Sequence, residues 1–117
     1  MLAAELVNQP GVIAAGEYSY RGDRFSYKGE MDDDMARMAA IMCRATTMSE
    51  HMQVAMLEEH CPDCGSSPPR GWIVRGPVFT VCNLANVFAF LQNNEASLND
   101  IMALMQKRLA NVSHELV

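Results

Sequence analysis

Residues 71–91 read GWIVRGPVFTVCNLANVFAFL, and this stretch decides the fold. Gly76-Pro77 marks a turn between two β-prone runs, so residues 71–75 and 79–83 are predicted to pair as a hairpin. Residues 87–91 are almost wholly apolar, which suits a central strand buried on both faces. Periodicity alone leaves a buried helical turn open as the alternative for residues 87–91.

Two further strands are predicted nearer the N-terminus. A short helical stretch, Leu2–Val7, is stopped by Pro10-Gly11, because proline removes a backbone donor and glycine permits a turn. Residues 12–20 and 25–28 then have the composition of strands, with a turn at residues 21–24. Together with residues 71–91, they predict an antiparallel sheet of five strands.

A long helix is predicted between the two hairpins. The acidic run Asp32-Asp33-Asp34 favours a helix N-terminus, where negative charge meets free amides and the positive end of the dipole. Apolar residues then recur at alternating steps of four and three, in the order Met31, Met35, Met38, Met42, Ala45, Met52 and Met56. Such a stripe is typical of a core-facing side, and methionine also lines adaptable binding surfaces.

This helix is expected to be longer than a small sheet needs. If it continues to residue 59, it spans on the order of 40 Å at ~1.5 Å per residue. Thr46-Thr47 lowers the helix propensity and is where a bend would fall. The small residues Ala36, Ala39, Ala40 and Cys43 lie beside the stripe and permit close approach of a sheet or a second helix.

A final helix is expected after Ser97, since Ser97-Leu98-Asn99-Asp100 is similar to a capping box with Asp in place of Glu. Apolar residues with helical spacing then continue to Val112. The sequence therefore predicts one α+β domain over residues 1–117, with helices flanking a five-stranded antiparallel sheet in the order α-β-β-α-β-β-β-α.

The charge balance excludes some classes of partner. The chain has 117 residues, half of them hydrophobic, and a formal net charge of −5. Binding to nucleic acid is not expected, because it depends on clustered Lys and Arg that release phosphate counterions. No secretory signal and no run approaching ~18 apolar residues is found, so we expect a cytoplasmic protein without membrane insertion.

The pair Cys61-Pro62-Asp63-Cys64 is the one local motif with recognised chemistry. Two thiolates at this spacing reach one metal ion, and His60 adds an imidazole, so Cys61, Cys64 and His60 are the candidate metal ligands. A closed zinc site has four ligands and would need His51 or a second subunit. The alternatives are a redox pair, or a loop with two inert thiols that form an adventitious disulfide on oxidation. No cofactor is predicted, and zinc is kept as the alternative.

The other polar groups are interpreted as structural. The aspartates at 32–34 lack the spacing of a calcium loop, and neither His51 nor His114 has partners at the spacing of a catalytic triad. Glycine-rich phosphate loops are absent. Cys43 and Cys82 are expected to pack as small hydrophobes. The sequence therefore indicates no catalytic or cofactor-binding residue and no enzyme.

The order of the predicted elements resembles the roadblock / dynein light chain family, and residues 10–16, PGVIAAG, are similar to the opening strand of that family. A closer likeness is to a family of small bacterial proteins of unknown function, some encoded near sulfur-oxidation genes. It is carried by residues 11–17, the Met-rich helix and Arg70-Gly71-Trp72 followed by Gly76-Pro77.

The first resemblance implies a roadblock/profilin-like fold and a non-catalytic interaction or regulatory scaffold. Its members typically dimerise, so the implied partners are a second copy, through the long helix and the edge strand around Trp72, and an unidentified protein. The alternative, from the Cys61 and Cys64 pair, is a small thiol- or zinc-containing accessory protein in sulfur or redox metabolism.

Overall fold

The computed structural model describes residues 2–64 and 71–109. The elements are α1 (Leu2–Val7), β1 (Val12–Tyr18), β2 (Phe25–Gly29), α2 (Asp33–His60), a 3-10 turn (Pro62–Cys64), β3 (Gly71–Arg75), β4 (Phe79–Leu84), β5 (Val87–Gln92) and α3 (Leu98–Leu109). This is the predicted order. The predicted loop at residues 65–69, the continuation of the last helix to Val112 and His114 lie outside the described residues.

The sheet has five strands in the order β2-β1-β5-β4-β3, and every neighbouring pair is antiparallel. The apolar run at residues 87–91 is therefore the central strand, as predicted. The two strands at the edges of the sheet are β2 and β3. This places Trp72 on an edge strand, also as predicted.

Helices cover both faces of the sheet. Alternate residues of β5 point to opposite sides, because side chains alternate along a strand. Val87, Ala89 and Leu91 pack in the core cluster that contains α1 and α3 residues, whereas Phe88 packs with α2. The fold is thus a three-layer arrangement with α1 and α3 below the sheet and α2 above it.

The first strand is shorter than predicted and ends at Tyr18 rather than at residue 20. Ser19 begins the hairpin turn instead, since its Oγ accepts from the amides of Asp23 and Arg24 at 3.1 and 3.0 Å. The Ser19 amide still donates to the Arg24 carbonyl at 2.9 Å, but the Arg24 amide donates to the Ser19 side chain instead of to its carbonyl.

Both predicted helix starts are confirmed. Asp32 caps α2, with its Oδ1 accepting from the Met35 amide at 2.8 Å, and Ser97 Oγ accepts from the Asp100 amide at 3.3 Å. Helix α2 is a single 28-residue helix, with no interruption at the two threonines. Within the described residues, no helix is both long and apolar enough to cross a membrane.

Candidate interaction surface

Helix α2 packs on the sheet through its small residues. Its buried residues are Ala36, Ala39, Ala40, Cys43 and Thr47. They recur at three- and four-residue steps, so they form one stripe. This stripe meets the large side chains Tyr18 and Phe88 of the sheet. Large residues on the sheet and small residues on the helix allow the two layers to approach closely.

The methionines of α2 point the other way. We call the following exposed residues the methionine face: Met35, Met38, Ile41, Met42, Met48, Met52 and Met56. Each is more than half exposed, and Met52 reaches 74%. At ~100° per residue, this face lies about 180° from the buried stripe. Of the two roles that the sequence leaves open for the methionine stripe, core and adaptable binding surface, the exposure of these residues favours the second, and the small residues beside the stripe form the packed side.

The edge strand β3 adds a second exposed apolar area. Ile73 and Val74 are 45% and 54% exposed, and Phe79 on the adjacent strand is 53% exposed. The Gly76 amide donates to the Phe79 carbonyl across the β3–β4 hairpin at 2.9 Å. The direction of the amides alternates along a strand, so the Val74 amide also points to β4. The amides of Ile73 and Arg75 point away from β4, in the plane of the sheet.

A buried polar network ties this edge to α2. Trp72 Nε1 donates to Thr47 Oγ1 at 2.8 Å, and the Tyr18 hydroxyl lies 2.8 Å from the same oxygen. The Tyr18 hydroxyl also donates to Asn83 Oδ1 at 3.1 Å, and Asn83 Nδ2 donates to the Ala85 carbonyl at 2.9 Å. Sequence reasoning missed this network. The one indication of this network in the sequence is that polar residues interrupt otherwise apolar runs.

Burial keeps the ionisable groups of the core neutral. It raises the pKa of Tyr18 to about 12, and it raises the pKa of the Cys43 and Cys82 thiols to about 12 and about 11. Both cysteines are buried and free. A thiol with a raised pKa is a poor nucleophile at neutral pH, so the prediction that they pack as small hydrophobes is confirmed.

The cysteine motif lies at the C-terminal end of α2. His60 is the exposed last residue of the helix, and the Cys61 amide donates to the Leu57 carbonyl at 3.0 Å to close its final turn. Cys61 is half-buried and disulfide-bonded. Cys64 ends the following 3-10 turn, but its side chain is outside the described part of the structure.

Metal binding by Cys61, Cys64 and His60 stays a prediction. Among the side chains that the structure describes, no group of three or more His, Cys, Asp or Glu is placed to hold a metal ion. A disulfide-bonded Cys61 is also not a thiolate, so a zinc site at this position requires reduction first. The predicted additional ligand His51 is exposed on α2.

A cavity of about 100 Å³ lies on the face of the sheet that α3 covers, opposite to α2. Its lining includes Arg75, Thr80 and Leu98. It is much smaller than the ~300 Å³ or more typical of ligand sites. The Thr80 hydroxyl is also engaged, since it donates to Asn93 Oδ1 at 2.5 Å. This cavity does not suggest a nucleotide or a comparably large cofactor.

Comparison with known proteins places the chain in a family. The family model described as "Uncharacterized conserved protein (DUF2173)" matches residues 3–107. This chain belongs to the DUF2173 family. A search of curated proteins finds no match to the DUF2173 chain.

The fold of the DUF2173 chain is that of a roadblock domain. Its structure is similar to the Roadblock/LC7 domain from Streptomyces avermitilis, with a TM-score of 0.66 and 16% sequence identity. The similarity covers 93% of this chain and 92% of that chain. The predicted five-stranded roadblock-like fold is therefore confirmed, and at this identity the similarity concerns the fold alone.

Proposed function

We propose that this protein is a non-catalytic interaction module that acts as a homodimer in the cytoplasm and presents a regulatory or scaffolding surface to another protein. The observation that carries this proposal is the position of β3 at the edge of the sheet, unpaired on its outer side within residues 2–64 and 71–109 and beside exposed apolar residues on the sheet and on α2. The roadblock-like fold supports it, because the resemblance to that family implies dimers and binding partners.

The edge of β3 is suited to pairing with a second copy. Its outward amides at Ile73 and Arg75 are ready donors, and Arg75 carries the only charge on the strand. Natural proteins usually protect an open edge with charges, proline or a covering element. An antiparallel β3–β3 pair would continue the sheet into the second copy and would be isologous, the commonest form of protein dimer.

The rigidity of this edge favours the same conclusion. Trp72 on β3 is hydrogen-bonded to Thr47 on α2, so the strand and the helix form one preorganised surface. Preorganisation lowers the entropy that is lost on association. Pairing of the edges also brings the two α2 helices towards each other, where their exposed Met and Ala residues offer an adaptable apolar contact.

Hydrogen exchange at the outward amides tests the proposal. At a concentration where the dimer forms, the Ile73 and Arg75 amides should exchange slowly, because they donate to the partner strand. The outward amides of β2, the other edge, serve as the control in the same molecule and should exchange faster. Fast exchange at both edges, at every concentration, would show that the edge of β3 is open and would exclude this dimer.

The second candidate function is a thiol- or zinc-containing accessory protein in sulfur or redox metabolism. It is favoured by the bonded state of Cys61, next to His60 at the end of α2. Under this proposal, protein purified under reducing conditions holds roughly one zinc per chain or per dimer through Cys61, Cys64 and His60. Metal analysis tests it with Cys61→Ser as the matched variant, and equal metal content in both proteins would contradict it.

A further inference from the structure

Helix α2 crosses the sheet from one edge towards the other. At its start, Asp33 accepts a hydrogen bond from the Tyr27 hydroxyl on the edge strand β2. Further along the helix, Thr47 accepts from Trp72 on the opposite edge strand β3. Thr47 is the last buried residue of α2. Residues 48–60, which we call the distal half of α2, therefore continue past the edge that β3 forms.

The distal half has few contacts with the rest of its own copy. Only Glu50 and Val54 are even partly buried, and Leu57 is 54% exposed. At ~100° per residue, Val54 continues the buried stripe of α2 and Leu57 lies beside that stripe. A helical segment on the order of 20 Å long is marginally stable in water when nothing packs on it. Packing from a second chain would therefore stabilise the distal half.

The hairpin of β3 and β4 carries a second set of exposed apolar residues. Val74, Val78 and Phe79 are 54%, 53% and 53% exposed, and we call them the hairpin patch. Trp72 points to α2, and side chains alternate along a strand, so Val74 points to the same face of the sheet. Phe79 shares that face, because it lies two residues before Val81, which packs with α2 residues.

Antiparallel pairing of two β3 edges determines where the hairpin patch of the second copy lies. A pair that uses the outward amides of Ile73 and Arg75 is centred at Ile73 or Val74. Trp72 of one copy then lies opposite Val74 or Gly76 of the other. The twofold axis of such a pair is perpendicular to the sheet, so α2 lies on the same side in both copies. The hairpin patch of one copy is therefore brought to the point where α2 of the other passes the edge.

The charges of the two surfaces are compatible. No Asp or Glu occurs in residues 71–94, and their one charged residue is Arg75. The distal half contains glutamates but no Lys or Arg, so no like charges meet in this contact. Arg44 is held away from it, since its Nε donates to the Tyr20 carbonyl, beside the β1–β2 turn, at 2.5 Å.

We propose that each copy of the homodimer packs its hairpin patch under the distal half of α2 of the other copy. Val54 and Leu57 of one copy contact Val78 and Phe79 of the second, and the twofold axis generates an identical second contact. The inference rests on the proposed homodimer and adds a contact outside the paired strands. It removes two exposed apolar surfaces from water at once, and such burial stabilises an assembly.

The dissociation constant of the dimer tests this contact. Leu57→Ser and, separately, Val78→Ser should each raise it about tenfold or more, because each removes an apolar side chain from both copies of the contact. Met52→Ser is the matched control, since Met52 is 74% exposed and lies on the side of α2 that faces away from the sheet. Analytical ultracentrifugation measures all three variants. An equal increase for Met52→Ser, or no change for the other two variants, would overturn the proposal.

The double variant Leu57→Ser with Val78→Ser tests whether the two residues touch. If they do, its dissociation constant should rise by less than the product of the two single increases, because either substitution alone already removes the shared contact. Increases that simply multiply would place the two residues in separate contacts and overturn the proposal.

The same measurements separate this inference from the homodimer itself. A dimer whose dissociation constant is unchanged by Leu57→Ser and Val78→Ser contradicts only the contact between the hairpin patch and the distal half. A chain that stays monomeric at every concentration contradicts the homodimer and, with it, this contact.

Discussion

Thr47 holds the central position in the hydrogen-bond network between α2 and the sheet. Its hydroxyl accepts from Trp72 and lies within hydrogen-bond distance of Tyr18. These groups lie far apart in sequence, with a separation of 29 positions from Tyr18 to Thr47 and of 65 positions from Tyr18 to Asn83. No local pattern predicts a contact over such separations, so the network emerges only from the fold.

Replacing Thr47 with Val should lower the free energy of unfolding by roughly 1–3 kcal/mol, because the Trp72 indole loses its acceptor. The matched control is Thr46→Val. The Thr46 hydroxyl donates only to the Met42 carbonyl of its own helix, so its removal should change stability by about 0.5 kcal/mol or less. Urea unfolding followed by the fluorescence of Trp72, the one tryptophan of the chain, measures both. Equal effects would contradict a central role for Thr47.

The buried ionisable groups predict a loss of stability at alkaline pH. Tyr18 and Cys43 have pKa values of about 12 in the folded protein, against 10.0 and 9.0 for the unperturbed groups. Above pH ~9 the unfolded chain therefore binds fewer protons than the folded one, and stability falls as pH rises through this window. Below it, the contribution of these groups is constant.

Urea unfolding at pH values from 8 to 11 checks this expectation. Cys43→Ala removes one of the ionising groups, so its stability should fall less steeply with pH than that of the unmodified protein. Cys43→Ala also loses side-chain packing, which lowers the free energy of unfolding at every pH. This loss does not change the sign of the dependence on pH. Stability that stays constant or rises up to pH 11 would contradict the burial of these groups.

At the scale of the element, the sequence predicts the existence of each helix and strand better than its orientation. The order of elements, the caps at Asp32 and Ser97 and the central position of β5 all depend on local chemistry, and all are confirmed. By contrast, local chemistry does not predict which side of α2 faces the sheet. Its methionine and small-residue stripes share the same helical period, and the choice between them depends on Tyr18 and Phe88 across the interface.

Proline substitutions in β3 distinguish the amides that point outward from the amides that point to β4. Ile73→Pro removes an outward amide, which an edge strand tolerates, so it should produce monomers with little loss of stability. Val74→Pro removes an amide that points to β4, so it should lower the free energy of unfolding by about 1 kcal/mol or more. Light scattering and urea unfolding of both variants measure the two effects. An Ile73 variant that stays dimeric would place the interface elsewhere.

At the scale of the molecule, the sequence predicts the fold, but it predicts only part of the candidate interaction surface. The edge position of Trp72 is predicted and confirmed. The sequence leaves two roles open for the methionine stripe, core and binding surface, because a stripe of apolar residues does not by itself show which element covers it. The spacing of Cys61 and Cys64 predicts a metal site, and metal binding at this pair stays a prediction.

The molar mass in solution shows whether this chain associates with itself. Light scattering of the unmodified, reduced protein at micromolar concentration should give twice the chain mass of 13.0 kDa. The isologous pairing of two β3 edges allows no further growth, so larger assemblies are not expected. A mass of 13.0 kDa across the whole concentration range would exclude the homodimer.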